Sequence, residues 1–192
     1  LDTDEISDEG RGKMIIFDLD GTLANCEHRR HFVDPSKNAC LCGYSEENSH
    51  LPRSSILCPR HDFKPNWNAF YEACDKDEPI YESIEVFKSL NENEIHIWSG
   101  RCESEIEKTK LWLWKYCGCG FDPDLTYPQV IKMRPIGDCT PDDQLKERWL
   151  DEHIASGGKP IEMVFDSDRD SIVMWRRRGI FVFNCCQHDE EF

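Results

Sequence analysis

The sequence predicts an α/β protein: a Rossmann-like, three-layer parallel sheet with a cysteine-rich insertion after the first strand. Three observations carry this. Several short apolar runs each end in a cluster of polar residues, as strands do when their carboxyl ends face a ligand crevice. Amphipathic stretches of helical spacing lie between them, and that alternation builds βαβ units. One segment, from about residue 35 to 65, breaks the pattern with Gly, Ser, Asn, Pro and Cys and keeps no period.

The first apolar run, Met14 to Phe17, feeds into Asp18-Leu19-Asp20-Gly21-Thr22. Side chains alternate along an extended chain, so Asp18 and Asp20 lean to one side while Leu19 turns into the core. Gly21 permits a sharp turn, and Thr22 sits where amides are freed past the strand. Two carboxylates held this close repel unless a cation lies between them, and an oxygen-only site suits Mg²⁺. Glu27 to Phe32 is a short amphipathic stretch whose Arg29 and Arg30 follow closely enough to meet an anionic substrate.

Within the insertion, Cys40-Leu41-Cys42 and Cys58-Pro59-Arg60-His61 are separated by fifteen residues. Cys40, Cys42, Cys58 and His61, with His50 in reserve, could clamp a structural Zn²⁺. A loop with free thiols, or with one disulfide, is the alternative.

Helical patterning resumes at Trp67, with Phe70, Tyr71 and Cys74 on one face. Pro79 is placed to open the next helix, which carries Ile84, Phe87 and Leu90 towards Asn93. Ile95 to Trp98 is a strand running into Ser99-Gly100-Arg101, a hydroxyl, an exposed amide and a guanidinium suited to cradling phosphate. A helix from about Glu103 to Tyr116 follows, its tryptophans read as packing. Val130 to Met133 is a further strand leading to Arg134. Asp142 and Lys146 share a face of the helix entered after Pro141. Ile161 to Phe165 is a strand ending in Asp166-Ser167-Asp168-Arg169-Asp170, before a helix through Trp175 and a last strand, Ile180 to Phe183.

The whole chain sets bounds on these readings. Its 192 residues fit one domain from residue 13 to 192 with a modest insertion at 35–65, after a polar leader, 1–12, expected to be disordered. Against 23 Lys plus Arg stand 38 Asp plus Glu, a net charge of −15, so a nucleic-acid substrate would have to be gripped locally rather than wrapped. No apolar run is long enough for a membrane span, and no secretory leader is evident, so the expected location is cytoplasmic. Eleven cysteines are read as mostly reduced: Cys26, Cys74, Cys102, Cys139, Cys185 and Cys186 as packing or surface thiols, with Cys117 and Cys119 left open.

Asp18-Leu19-Asp20-Gly21-Thr22 resembles the first motif of the haloacid dehalogenase superfamily of phosphotransferases, and the later polar clusters resemble its other motifs in order. The resemblance implies that Asp18 is a nucleophile forming an aspartyl-phosphate and that Asp20 is the acid and base. It implies that Ser99 and the Gly100 amide hold phosphate oxygens, that Lys146 offsets charge, and that Asp18, the Asp20 carbonyl and Asp166 bind Mg²⁺.

Trp98 to Arg101, Met133 to Pro135, Gly137-Asp138, Asp142 to Lys146 and Met174 to Arg177 are more specifically similar to the 3′-phosphatase domain of phage polynucleotide kinase-phosphatases. That similarity implies a phosphomonoesterase acting on 3′-phosphates of nucleic-acid ends or nucleotides, in a phage- or virus-encoded setting. Arg29 and Arg101 fall at that family's essential arginines and Asp142 at its essential acid, which places them at the substrate. The family has adjacent acids where this chain has Asp166-Ser167, so Asp168 or Asp170 is expected in the outer shell of the metal. No Gly-x-x-x-x-Gly-Lys-Ser/Thr loop is present, so no kinase half is expected. A nucleotidase for free mononucleotides is the close rival, and a binding protein on a degenerate hydrolase fold is the other class.

Overall fold

The structure, a computed structural model, describes residues 13–34, 37, 63–90, 94–118 and 130–186. The leader, Cys119, and the proposed zinc ligands Cys40, Cys42, Cys58 and His61 with most of their insertion lie outside the described residues.

Five parallel strands form one sheet in the order β5-β4-β1-β6-β7: β1 Met14–Phe17, β4 Glu94–Cys102, β5 Val130–Arg134, β6 Ile161–Asp166 and β7 Val182–Asn184. A two-residue ribbon stands apart, pairing β2 Ala24–Asn25 antiparallel with β3 Glu78–Pro79. Parallel neighbours need long crossovers, and the helices supply them: α1 Trp67–Glu72, α2 Tyr81–Ser89, α3 Ile106–Cys117, α4 Asp142–Ala155 and α5 Arg169–Arg177. No helix of the described residues is long and apolar enough to cross a membrane.

The alternation along β1 separates the two cores. Ile15 and Phe17 face Ile84 and Phe87 of α2 and Trp112, Leu113 and Cys117 of α3. Met14 and Ile16 face Leu145, Trp149 and Leu150 of α4 and Ile172, Met174 and Trp175 of α5. Both faces of the sheet are therefore covered, which is why its strands read as continuous apolar runs. Phe17 stacks on Phe165 with centroids 4.2 Å apart, locking β1 to β6.

Some boundaries depart from the sequence expectation. Pro79 does not open α2: it ends β3, opposite Ala24, and α2 begins at Tyr81. A proline tolerates such an edge position because its missing N–H is not needed there. β4 runs on through Cys102, so Ser99, Gly100 and Arg101 are strand residues, with a register irregularity between Ser99 and Cys102. The last strand starts at Val182 rather than Ile180. Further out, the Asn66 N–H donates to the Phe32 carbonyl at 2.8 Å, so the chain leaves near Phe32 and returns to the same place. The seven described cysteines are free thiols, with Cys26, Cys74 and Cys117 buried.

Candidate active site

The strand order puts β1 between β4 and β6, so Asp18, Ser99 and Asp166 emerge side by side at the carboxyl edge. Asp18 is 4% exposed, and its N–H donates to the Phe165 carbonyl at 2.8 Å. Lys146 reaches in from α4, its Nζ 3.0 Å from Asp18 Oδ1 and 2.8 Å from Asp166 Oδ2. Thr22 Oγ1 donates to Asp18 Oδ2, while Trp175 Nε1 and the Asp168 amide donate to Asp166. Burial pushes the Asp18 carboxyl up to about 8, against the pull of Lys146 and with Asp166 adding to the rise. Burial opposes the charge on Lys146 too, but Asp166 and Asp18 outweigh it and hold the ammonium above the usual lysine value.

Asp20 lies in a different field. Arg29 Nη2 donates to Asp20 Oδ1 at 2.7 Å, and Arg101 Nη2 donates to the same oxygen. Behind them Asp77 takes a forked pair from Arg29, Nε to Oδ1 and Nη2 to Oδ2, both 2.7 Å, and a third bond from Arg101 at 2.8 Å. Burial would raise the Asp20 carboxyl, but Arg101 and Arg29 reverse this and lower it to about 2. Two guanidiniums and two carboxylates thus form a neutral, hydrogen-bonded quartet, the arrangement that makes buried charge tolerable.

The expectation put Arg29 and Arg101 against substrate. Both guanidiniums are enclosed, at 0% and 1% residue exposure, and both bond Asp20 and Asp77, while Arg101 also lines the cleft. The Arg29 guanidinium also lies 4.2 Å over the Phe70 ring. Asp77 was not singled out from sequence, because Cys-Asp-Lys-Asp-Glu looks like a solvated turn.

The third cluster links β4, β5 and α4. Ser99 is fully buried and its Oγ accepts from the Arg101 amide at 3.2 Å. A Cβ built on Gly100 would stand 2.2 Å from Asp142 Oδ2, so only glycine lets Asp142 come this close. Arg134 fixes Asp142 by donating to Oδ1, and donates also to the Gly100 and Thr140 carbonyls at 2.8 and 2.5 Å. Arg134 belonged to a quoted motif but not to the expected site. Its signal was its place at the end of a strand.

Asp168 and Asp170 do not behave alike. Asp168 caps α5 by accepting from the Ser171 amide at 2.8 Å, whereas Asp170 is exposed on the first turn of α5. Ser167 Oγ donates to the Asp20 carbonyl at 3.1 Å and lies where a Cβ on Gly21, at φ +86°, would stand 2.4 Å from it. Among the described residues no three His, Cys, Asp or Glu side chains converge as a metal site. Two do converge, Asp18 and Asp166, both buried and both oxygen donors, and when both are ionised they carry more negative charge than Lys146 alone offsets. That donor set fits a hard divalent cation. The whole constellation opens into a cleft of about 1250 Å³ lined by Asp18, Asp20, Gly100, Arg101, Asp142 and α1.

The family model for the polynucleotide kinase PNKP phosphatase domain matches residues 66–190. The chain belongs to the polynucleotide kinase phosphatase-domain family. The matched range holds Asp77, Ser99, Gly100, Arg101, Asp142, Lys146 and Asp166, while Asp18 and Asp20 precede it. Among solved structures, a chain of the Pnkp1/Rnl/Hen1 RNA repair complex is similar at 22% identity and TM-score 0.57, covering 91% of this chain and 42% of that one. The present chain therefore spans less than half of that relative.

A haloacid dehalogenase-like hydrolase from Streptococcus pneumoniae (14%, TM-score 0.53, 90% and 84% covered) has a similar fold. So does a putative phosphatase from Clostridium difficile (15%, 0.53, 91% and 85%). No curated protein is a significant match to the sequence. This member of the polynucleotide kinase phosphatase-domain family thus has a haloacid dehalogenase-like fold.

Proposed function

We propose that the chain is a Mg²⁺-dependent phosphomonoesterase that removes a 3′-phosphate from a nucleic-acid end or nucleotide. The observation that carries this is the pairing of Asp18 and Asp166 through one buried ammonium, with an arginine-held carboxylate, Asp20, two residues along. An Asp18 oxygen forms a bond to phosphorus as the bond to the sugar 3′ oxygen breaks, and Asp20 gives that oxygen its proton. In the second half Asp20 takes a proton from water, whose oxygen attacks phosphorus, and the Asp18–phosphorus bond breaks to release phosphate.

Asp20 is anionic in the free protein, and a phosphate dianion arriving beside it raises its hold on a proton, as any like charge does. Lys146 offsets the charge of the pentacoordinate phosphorus, and the Gly100 amide is available to a phosphate oxygen. Asp18, Asp166 and the Asp20 carbonyl would hold Mg²⁺, which when bound shields the carboxylate from the dianion it attacks.

A second reading, a nucleotidase on free mononucleotides, is favoured by the net charge of −15, which repels long polyanions. Rates on a 3′-phosphorylated oligonucleotide and on 3′- and 5′-mononucleotides, with and without Mg²⁺, decide between them. Turnover of 3′-phosphates that needs Mg²⁺ is expected. A preference for 5′-mononucleotides, or no turnover of any phosphomonoester by folded protein, overturns the proposal.

A further inference from the structure

We infer that the cleft holds a nucleobase subsite, with the Trp67 indole as its stacking platform and Tyr71 beside it. The inference rests on the phosphatase reading and specifies what that site recognises beyond the phosphate. The cleft is the first argument: at about 1250 Å³ it far exceeds a phosphate group, so the catalytic carboxylates occupy one part of a cavity sized for a larger ligand.

Its lining is the second argument. Trp67, Phe70 and Tyr71 of α1 and Pro135 and Ile136 after β5 give it large apolar surfaces next to a charged centre. Trp67 is 51% exposed and Ile136 71%, which costs free energy in the absence of a ligand. The two rings of α1 lie 5.9 Å apart with planes inclined by 30°, and Phe70 packs edge-on against Trp67 at 5.7 Å, bracing it.

Continuity with the chemistry is the third argument. The same Phe70 ring carries the Arg29 guanidinium that grips Asp20, so platform and acid/base group are joined through one side chain. Tyr71 lines the same cleft as Arg134, Asp142 and Asp20, so the aromatic wall and the phosphate end share one cavity. Arg30, Lys108 and Arg169 also line the cleft, interspersed with acidic residues such as Glu72, Glu105 and Asp143. A flat, polarisable heterocycle attached to a phosphate satisfies all of these at once, whereas an aliphatic phosphomonoester would leave the indole uncovered.

The test compares a nucleoside 3′-monophosphate, a 3′-phosphorylated dinucleotide and the abasic ribose 3-phosphate on wild type and Trp67→Ala. Stacking by one base is worth about 5- to 150-fold. Wild type should prefer both base-bearing substrates to the abasic one in kcat/KM by a factor in that range. Trp67→Ala should erase most of that preference, chiefly through KM.

With Asp18→Asn to prevent turnover, added nucleoside 3′-monophosphate should quench tryptophan fluorescence, and the quench should vanish when Trp67→Ala is combined with it. Equal use of abasic and base-bearing substrates by wild type, or an unchanged preference in Trp67→Ala, overturns the subsite while leaving the phosphatase reading intact. Absence of turnover on all three overturns that reading instead, and the fluorescence titration then judges the subsite alone. Circular dichroism melts confirm that the half-exposed Trp67 is removed without unfolding.

Discussion

Asp18 and Asp20, two residues apart, sit in opposite electrostatic settings. Asp18 is packed against apolar strands and a second carboxylate, and Asp20 is gripped by two guanidiniums. In the proposed mechanism that difference separates nucleophile from proton carrier, and each half can be probed. Asp18→Asn keeps the shape but not the nucleophile, so kcat should fall by about 10⁴-fold or more in a steady-state assay. Lys146→Ala leaves Asp18 and Asp166 buried without their shared counter-charge. It should lower the unfolding free energy by about 3–5 kcal/mol in urea titrations and abolish turnover. Asp77→Ala leaves two buried arginines with Asp20 as their shared carboxylate and should destabilise by a similar amount. Because Asp77 is held away from the nucleophile, its effect on kcat should be larger for a sugar alcohol leaving group than for p-nitrophenol, which needs no proton.

Asp18, Asp20, Ser99 and Asp166 were legible because each ends an apolar run, a pattern visible without coordinates. Asp77 and the inward turn of Arg29 were not legible. Arg29 and Arg101 lie 48 and 24 residues from Asp77 in the chain, and nothing in a charged turn says which carboxylate folds inward.

Among the elements, β4 shows how a strand can carry chemistry in its own last residues. Its extension through Cys102 hid behind Gly100, which reads as a turn but serves as a gap into which Asp142 of α4 fits. Gly100→Ala drives a methyl into a carboxylate that Arg134 holds still. It should cost about 1–3 kcal/mol of stability and at least tenfold in kcat/KM, measured by thermal melts and substrate kinetics. At the acid-rich start of α5, Asp168 uses one oxygen to cap the helix, a role that the same residue type serves as well as it serves a metal shell. Helices α2 to α5 and their apolar faces came through the 3.6-residue period. The ribbon of β2 and β3 did not, since two-residue strands leave no period to detect.

For the molecule as a whole, the site is a local store of misfit charge inside an otherwise acidic protein. The native Asp18 carboxyl, at about 8, binds a proton that an unfolded aspartate, at about 3.9, releases. Between those values the folded state holds more protons than the unfolded one, so this group's contribution makes stability fall as pH rises from about 4 to 8. A divalent cation held by Asp18 and Asp166 would take over where the proton leaves. Added Mg²⁺ should therefore raise the melting temperature more at pH 8 than at pH 5, and equal shifts at the two pH values would count against Asp18 as a ligand.

The Phe32–Asn66 contact and the Asn25–Glu78 pairing gather both ends of the intervening segment at one doorway beside the cleft. Whatever is spliced in there enters and leaves without pulling on the sheet. A change of length there would leave the strands that carry Asp18, Ser99 and Asp166 where they are.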